Sequence, residues 1–118
     1  EAALHHALGL SLARSGRTVE AVASLEHATR LDPADARFAY AYAVALHSTG
    51  DVAAAIAELE EVLEAHPRDY DLLFALATFH RDAGRHELAA EYARRLLAAH
   101  PGDPAAAELV RVLGGPRP

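Results

Sequence analysis

Apolar residues recur every three to four positions along the chain, in stretches of roughly fourteen residues. Leu4, Leu8 and Leu12 form a stripe in the first stretch, and Ala21, Leu25 and Ala28 form one in the second. Ala39, Tyr42, Ala43 and Leu46 follow, then Ala55, Leu59 and Val62. The last two stretches carry Leu73, Leu76, Ala77 and His80, then Ala89, Ala93 and Leu96. This spacing predicts amphipathic helices, each turning one stripe toward a core. A shorter stripe, Ala107, Val110 and Leu113, predicts one more helix over residues 104–113.

The punctuation between stripes repeats with a period of 34 residues. Gly16, Gly50 and Gly84 keep that step, as do Pro33, Pro67 and Pro101. Ala21, Ala55 and Ala89 keep it, and so do Asp35, Asp69 and Asp103. The repeats therefore run 2–35, 36–69 and 70–103, with no insertion between them. Each glycine can end a helix in the left-handed conformation, and each proline stops the next helix from extending. Each aspartate precedes a new helix, where its carboxylate caps free N–H groups. Pro104, directly after Asp103, suits a first helical turn. Gly9, Ala43 and Ala77 share one small slot, and Ala21, Ala55 and Ala89 share another. Small residues at both let two helix backbones approach closely. One such hairpin cannot cover its own apolar face, so stability must come from stacking on its neighbours.

Leu8-Gly9, Ala21, Leu25, Ala28 and Pro33, in register within a 34-residue helix pair, resemble the tetratricopeptide repeat family. The resemblance spans residues 2–103 and the trailing helix. It implies an all-α, right-handed superhelical solenoid of three helix-turn-helix repeats plus a C-terminal capping helix. Residues 1–113 would be the repeat domain, and 114–118, with Gly114, Gly115, Pro116 and Pro118, a tail or linker. The family slot usually held by Trp carries His5, Ala39 and Leu73 here, and a usual large-aromatic slot carries Leu12, Leu46 and His80. A usual Ala slot carries Val62 and Leu96. The resemblance also implies that the first helix of each repeat lines a concave groove for a peptide or partner helix. Its slots would present His6, Leu10 and Ala13, then Arg37, Tyr40, Val44 and His47, then Asp71, Phe74, Thr78 and Arg81. These positions fall opposite the packing stripes. Tyr40 and Phe74 would anchor a ligand; the alternative is that both rings fill junctions between repeats. Family members that grip chaperone C-terminal carboxylates use Lys and Asn. Here the corresponding slots hold His6, Leu10, Tyr40, Val44, Phe74 and Thr78, and the chain has no Lys, so a partly apolar ligand fits better.

Composition narrows the chemistry. The chain has 118 residues, a net charge of −6 and no Cys, which excludes disulfides, thiolate metal sites and a cysteine nucleophile. An acidic chain lacks broad attraction for phosphate, so nucleic acid is not the expected partner. No apolar run reaches the ~20 residues of a membrane span. All basic side chains are Arg, which together with abundant Ala fits a GC-rich, bacterial genome. The chain starts at Glu1 and lacks Met, as expected of a piece of a longer protein or a processed one. None of the eight histidines has a His four residues away, so no helical metal pair is expected. His66 and His100 share a slot at the end of second helices, favourable for the helix dipole, and His80 is expected at the core edge. Glu58, Glu60, Glu61 and Glu64 spread around their helix as a solvated surface does, though they could also dock a basic partner. Asp71 and Asp82 lie too far apart for an acid/base pair. No phosphate loop or nucleophile motif is present. The expectation is a non-catalytic protein–protein interaction module without cofactor or metal, part of a larger protein. The alternatives are a self-assembling homo-oligomer, supported by Leu4, Leu8 and Leu10, and an accessory domain of a multidomain enzyme.

Overall fold

The computed structural model describes residues 1–113. Its helices are α1 (Ala2–Arg14), α2 (Thr18–Leu31), α3 (Ala36–Ser48), α4 (Val52–Leu63), α5 (Tyr70–Asp82), α6 (His86–Ala99) and α7 (Pro104–Leu113). No strand occurs among the described residues. The expected linker at 114–118 lies outside them. The fold is thus an all-α helical repeat. It divides into two compact units, residues 1–65 and residues from 66 onward. In the first unit α1 pairs with α2, α3 packs on both α2 and α4, and α1 also touches α3. In the second, α6 packs against both α5 and α7.

The three hairpin turns share one backbone closure. Gly16, Gly50 and Gly84 have φ of 80°, 93° and 81°, the region where a side chain clashes with its own backbone. At the first turn the Gly16 N–H donates to Ala13 O at 3.1 Å and the Arg17 N–H to Leu12 O at 2.9 Å. The other two turns repeat this pair, with Asp51 N–H to Leu46 O at 3.0 Å and Arg85 N–H to His80 O at 2.9 Å. This is the Schellman closure, which satisfies carbonyls left open at a helix end. The aspartates cap the next helices as the repeat predicts. Asp35 Oδ1 accepts from Arg37 N–H at 2.9 Å, Asp69 Oδ1 from Leu72 N–H at 3.0 Å and Asp103 Oδ2 from Ala106 N–H at 2.8 Å. Each cap contributes about 1 kcal/mol.

The predicted small slots are where helices meet. Gly9, Ala43 and Ala77 are buried, as are Ala21, Ala55 and Ala89. A Cβ on Gly9 would stand 2.5 Å from Leu25 Cγ and Cδ2. Leu25 is itself buried and has no free space to swing into. The second-helix stripes are buried as expected, from Ala21, Leu25 and Ala28 to Ala89, Ala93 and Leu96.

Two apolar stripes need correction. Leu4 is 71 % exposed and Leu8 51 % exposed, so the α1 stripe does not face the core. Only Gly9 of α1 is buried. The Leu4 slot in the next repeat is Phe38, which is 4 % exposed, with its ring against His6 of α1. In α7 the buried residues are Ala106 and Leu109, while Ala107 is exposed. The most buried positions of α7 thus lie one residue before the predicted stripe, of which Val110 and Leu113 are half-buried.

Gly9→Ala should destabilise the chain, because steric overlap with Leu25 outweighs the ~1 kcal/mol gain in helix propensity. A denaturant midpoint raised by this substitution would contradict the close approach. Ala55→Leu should cost ~1–3 kcal/mol in the same measurement, by overpacking the junction of α3 and α4.

Candidate interaction surface

On α3 the buried residues include Phe38, Ala39, Ala43 and Leu46. Arg37, Tyr40, Val44 and His47 are spaced three, four and three residues apart, which aligns them along the remaining side. Arg37 and Val44 are exposed, and Tyr40 and His47 are half-buried. The Arg37 guanidinium lies 5.6 Å from the centroid of the Phe38 ring and 3.5 Å from the Asp35 carboxylate. From α1, His6 meets the same Phe38 ring at 4.8 Å. Phe38 is therefore the link that sets His6 and Arg37 side by side. Burial, and then the Arg37 charge, hold the His6 imidazole below its ordinary value, so it is a neutral group at neutral pH. Its Nδ1 is shielded without a hydrogen-bond partner. Leu10 is half-buried and Ala13 exposed.

In the second unit, Asp71, Phe74, Thr78 and Arg81 follow the same spacing along α5. Asp71 and Arg81 are exposed, and Phe74 and Thr78 are half-buried. The Phe74 ring stacks on Tyr70 one turn away, with centroids 5.9 Å apart. The Thr78 hydroxyl donates back to Ala75 O at 3.1 Å. Arg81 Nε donates to Asp82 at 3.0 Å. Both units thus carry a line of mixed apolar and charged side chains on a first helix, with an aromatic at the equivalent slot.

The family described as tetratricopeptide repeat matches residues 6–60 and again residues 48–104. The chain belongs to the tetratricopeptide repeat family. Among solved structures, the first TPR of Spaghetti (RPAP3), bound to the HSP90 peptide SRMEEVD, superposes with a TM-score of 0.86 at 16% identity, covering 96% of this chain and 90% of that one. The Yersinia enterocolitica type III secretion chaperone SycD, in complex with a peptide of the translocator YopD, gives 0.84 at 14% identity, over 93% and 89%. MamA from Desulfovibrio magneticus RS-1 gives 0.81 at 24% identity, over 92% of this chain and 62% of that one. These similarities show the fold. No curated protein sequence matches the chain.

The tetratricopeptide slots that depart from the family pattern are filled in other ways. His5 stands in the usual Trp slot and stacks on His27 of α2, with centroids 4.1 Å apart and planes 3° from parallel. His80 is buried, and its ring stacks on Tyr92 at 5.5 Å. His100 ties a loop: its Nε2 lies 2.8 Å from the Arg68 carbonyl, so that nitrogen carries the proton. Arg68 in turn donates to Ala99 O at 3.0 Å. No three His, Cys, Asp or Glu side chains gather as metal ligands among the described residues. No helix among them is long and apolar enough to cross a membrane.

Two features escaped the sequence. In the first unit Thr29, Arg30, Pro33, Glu58, Glu61 and Val62 line a shallow cleft. Beside it burial, then Glu61 and Glu26, push the Glu58 carboxyl above its ordinary value. Burial, then Glu26 and Glu58, likewise raise the Tyr42 phenol. Glu58 is half-buried there, unlike the exposed Glu60, Glu61 and Glu64. These groups come from α2, α3 and α4, and no spacing within one helix could have joined them. In the second unit the Tyr70 hydroxyl donates to Asp103 Oδ2 at 2.8 Å. Tyr70 occurs only in the third repeat; Ala2 and Ala36 hold its slot elsewhere.

The Tyr70 hydroxyl, then the Ala106 N–H, hold the Asp103 carboxyl below its ordinary 3.8. A carboxylate lowered by folding adds stability that is present above its unfolded value and lost as pH falls through its folded value. Tyr70→Phe should therefore be less stable than the parent at neutral pH, and the gap should close as pH drops below 3.8. Urea midpoints across the acid range check this, and a gap that stays constant would refute the pairing.

Proposed function

We propose that the chain is a non-catalytic protein-interaction module that takes a peptide or partner helix along its first helices. In the first unit the binding side chains are His6, Leu10, Arg37, Tyr40, Val44 and His47. In the second they are Asp71, Phe74, Thr78 and Arg81. The observation that carries this reading is the matched, partly open Tyr40 and Phe74, each on a first helix and each beside an exposed charged residue three positions before it. Tyr and Arg, here Tyr40 beside Arg37, are among the residue types enriched at binding hot spots. Fold relatives with bound peptides support the same reading. Residues 1–113 would act as the binding domain, with α7 shielding the last hairpin.

The ligand is a peptide of mixed character. The lines hold apolar Leu10, Val44 and Phe74, positive Arg37 and Arg81, and negative Asp71, with His6 neutral. With no Lys in the chain, the clamp described above for acidic C-terminal peptides cannot be built.

Peptides selected from a random display library on the parent chain should contain apolar anchors. They should bind the Tyr40→Ala/Phe74→Ala variant about tenfold more weakly or worse, equal to ~1.4 kcal/mol, while circular dichroism shows unchanged helicity. Equal binding would remove the two rings from the site. Loss of helicity would assign them to the core instead.

A further inference from the structure

Arg37 is held more loosely than the other paired arginines of the first unit. Arg17 and Arg30 are gripped by Glu20 and Glu26 at 2.6 and 2.8 Å. The Arg37 guanidinium stands 3.5 Å from Asp35 Oδ2, longer than a hydrogen bond, while Asp35 Oδ1 caps α3. The Arg37 side chain is 79 % exposed, so its fork of N–H donors is open to a ligand. Beneath it lies the buried Phe38 ring, which carries Arg37 at 5.6 Å and His6 at 4.8 Å. The first unit's line of His6, Leu10, Arg37, Tyr40, Val44 and His47 holds no acid, so the charge that complements it is negative. A carboxylate fits the Arg fork in a bidentate pair. In the next repeat Asp71 takes the Arg37 slot, so this preference belongs to the first unit.

The neighbouring imidazole makes such a contact sensitive to protons. The charged groups acting on His6 are Arg37 and Asp35, both at the start of α3, with the Tyr40 phenol one turn further along. From α2, which also packs on α1, His27 stacks on His5 rather than on His6. Burial and then the Arg37 charge keep the His6 ring unprotonated, and Asp35 opposes them. A ligand carboxylate seated on Arg37 offsets that positive charge and adds a negative one beside the ring. Both changes favour the imidazolium.

Given first helices that form the binding surface, as proposed above, we propose that an acidic side chain of the peptide docks on Arg37 and that its docking is coupled to uptake of a proton by His6. By linkage, affinity for the acidic peptide rises as the medium acidifies, whereas a peptide without the acid gains nothing from the proton.

Peptides selected on the parent chain, and copies with each acidic residue replaced by its amide, test this by fluorescence anisotropy between about pH 5.5 and pH 8. Free His6 titrates below 6.5, so affinity for the acidic peptide should rise severalfold as pH falls toward that value. The rise should vanish with the amide copy and with His6→Gln. Arg37→Gln should weaken binding of the acidic peptide about tenfold, and of the amide copy far less. An NMR titration of the parent chain reads the proton directly, the His6 signal being the one lost in His6→Gln. The acidic peptide should move its midpoint upward, and the amide copy should not. Three results would each overturn the coupling and leave the binding surface standing: selected peptides that need Tyr40 and Phe74 but carry no acid, a His6 midpoint unmoved by the acidic peptide, or a pH dependence that survives in the amide copy. Binding indifferent to Tyr40→Ala/Phe74→Ala would remove the surface and the coupling with it.

Discussion

The distance between paired helix backbones sets the rest of this structure. At Gly9 there is no room for even one carbon beyond the backbone, because Leu25 already fills the space. Ala43 and Ala77 hold the corresponding slots and are likewise buried. With the helices this near, Leu25, Leu59 and Leu96 are enclosed on all sides, and each fully buried leucine contributes about 1.5–3 kcal/mol. A single large residue in a small slot would separate the pair and open those leucines to water. The low aromatic content of the chain follows from the same geometry, since narrow junctions leave little volume for rings.

Much of this was legible because repetition turns weak local signals into strong ones. One Gly after an apolar stretch is a modest hint, but Gly16, Gly50 and Gly84 at a fixed period are not accidental. All three adopt positive φ, and the three aspartates at the other loops cap as expected. The errors arose where burial depends on a neighbour rather than on the residue. Leu4 and Phe38 occupy the same slot with similar chemistry, and only the presence of a covering helix separates their fates. The Tyr42, Glu26 and Glu58 group was hidden for a related reason, since three helices each supply one member.

The candidate interaction lines were visible as the positions left over after packing was assigned. Their detailed state was not. That His6 sits against Phe38 and is kept neutral by burial and by Arg37 follows from the packing of α1 beside α3. That Thr78 turns its hydroxyl onto the Ala75 carbonyl of its own helix was not legible from its slot in the repeat. Both details make these positions less polar than the residue names alone suggest.

The loop joining α6 to α7 has a consequence for how the second unit opens. Tyr70 holds Asp103, Arg68 holds the Ala99 carbonyl, and His100 holds the Arg68 carbonyl. These bonds join the entrance of α5 to the exit of α6 and the start of α7, so the short end helix is held at its first turn. Of the three, the Tyr70–Asp103 bond is the one that reaches α7, so freeing the start of that helix must break it, while the two Arg68 contacts can stay closed.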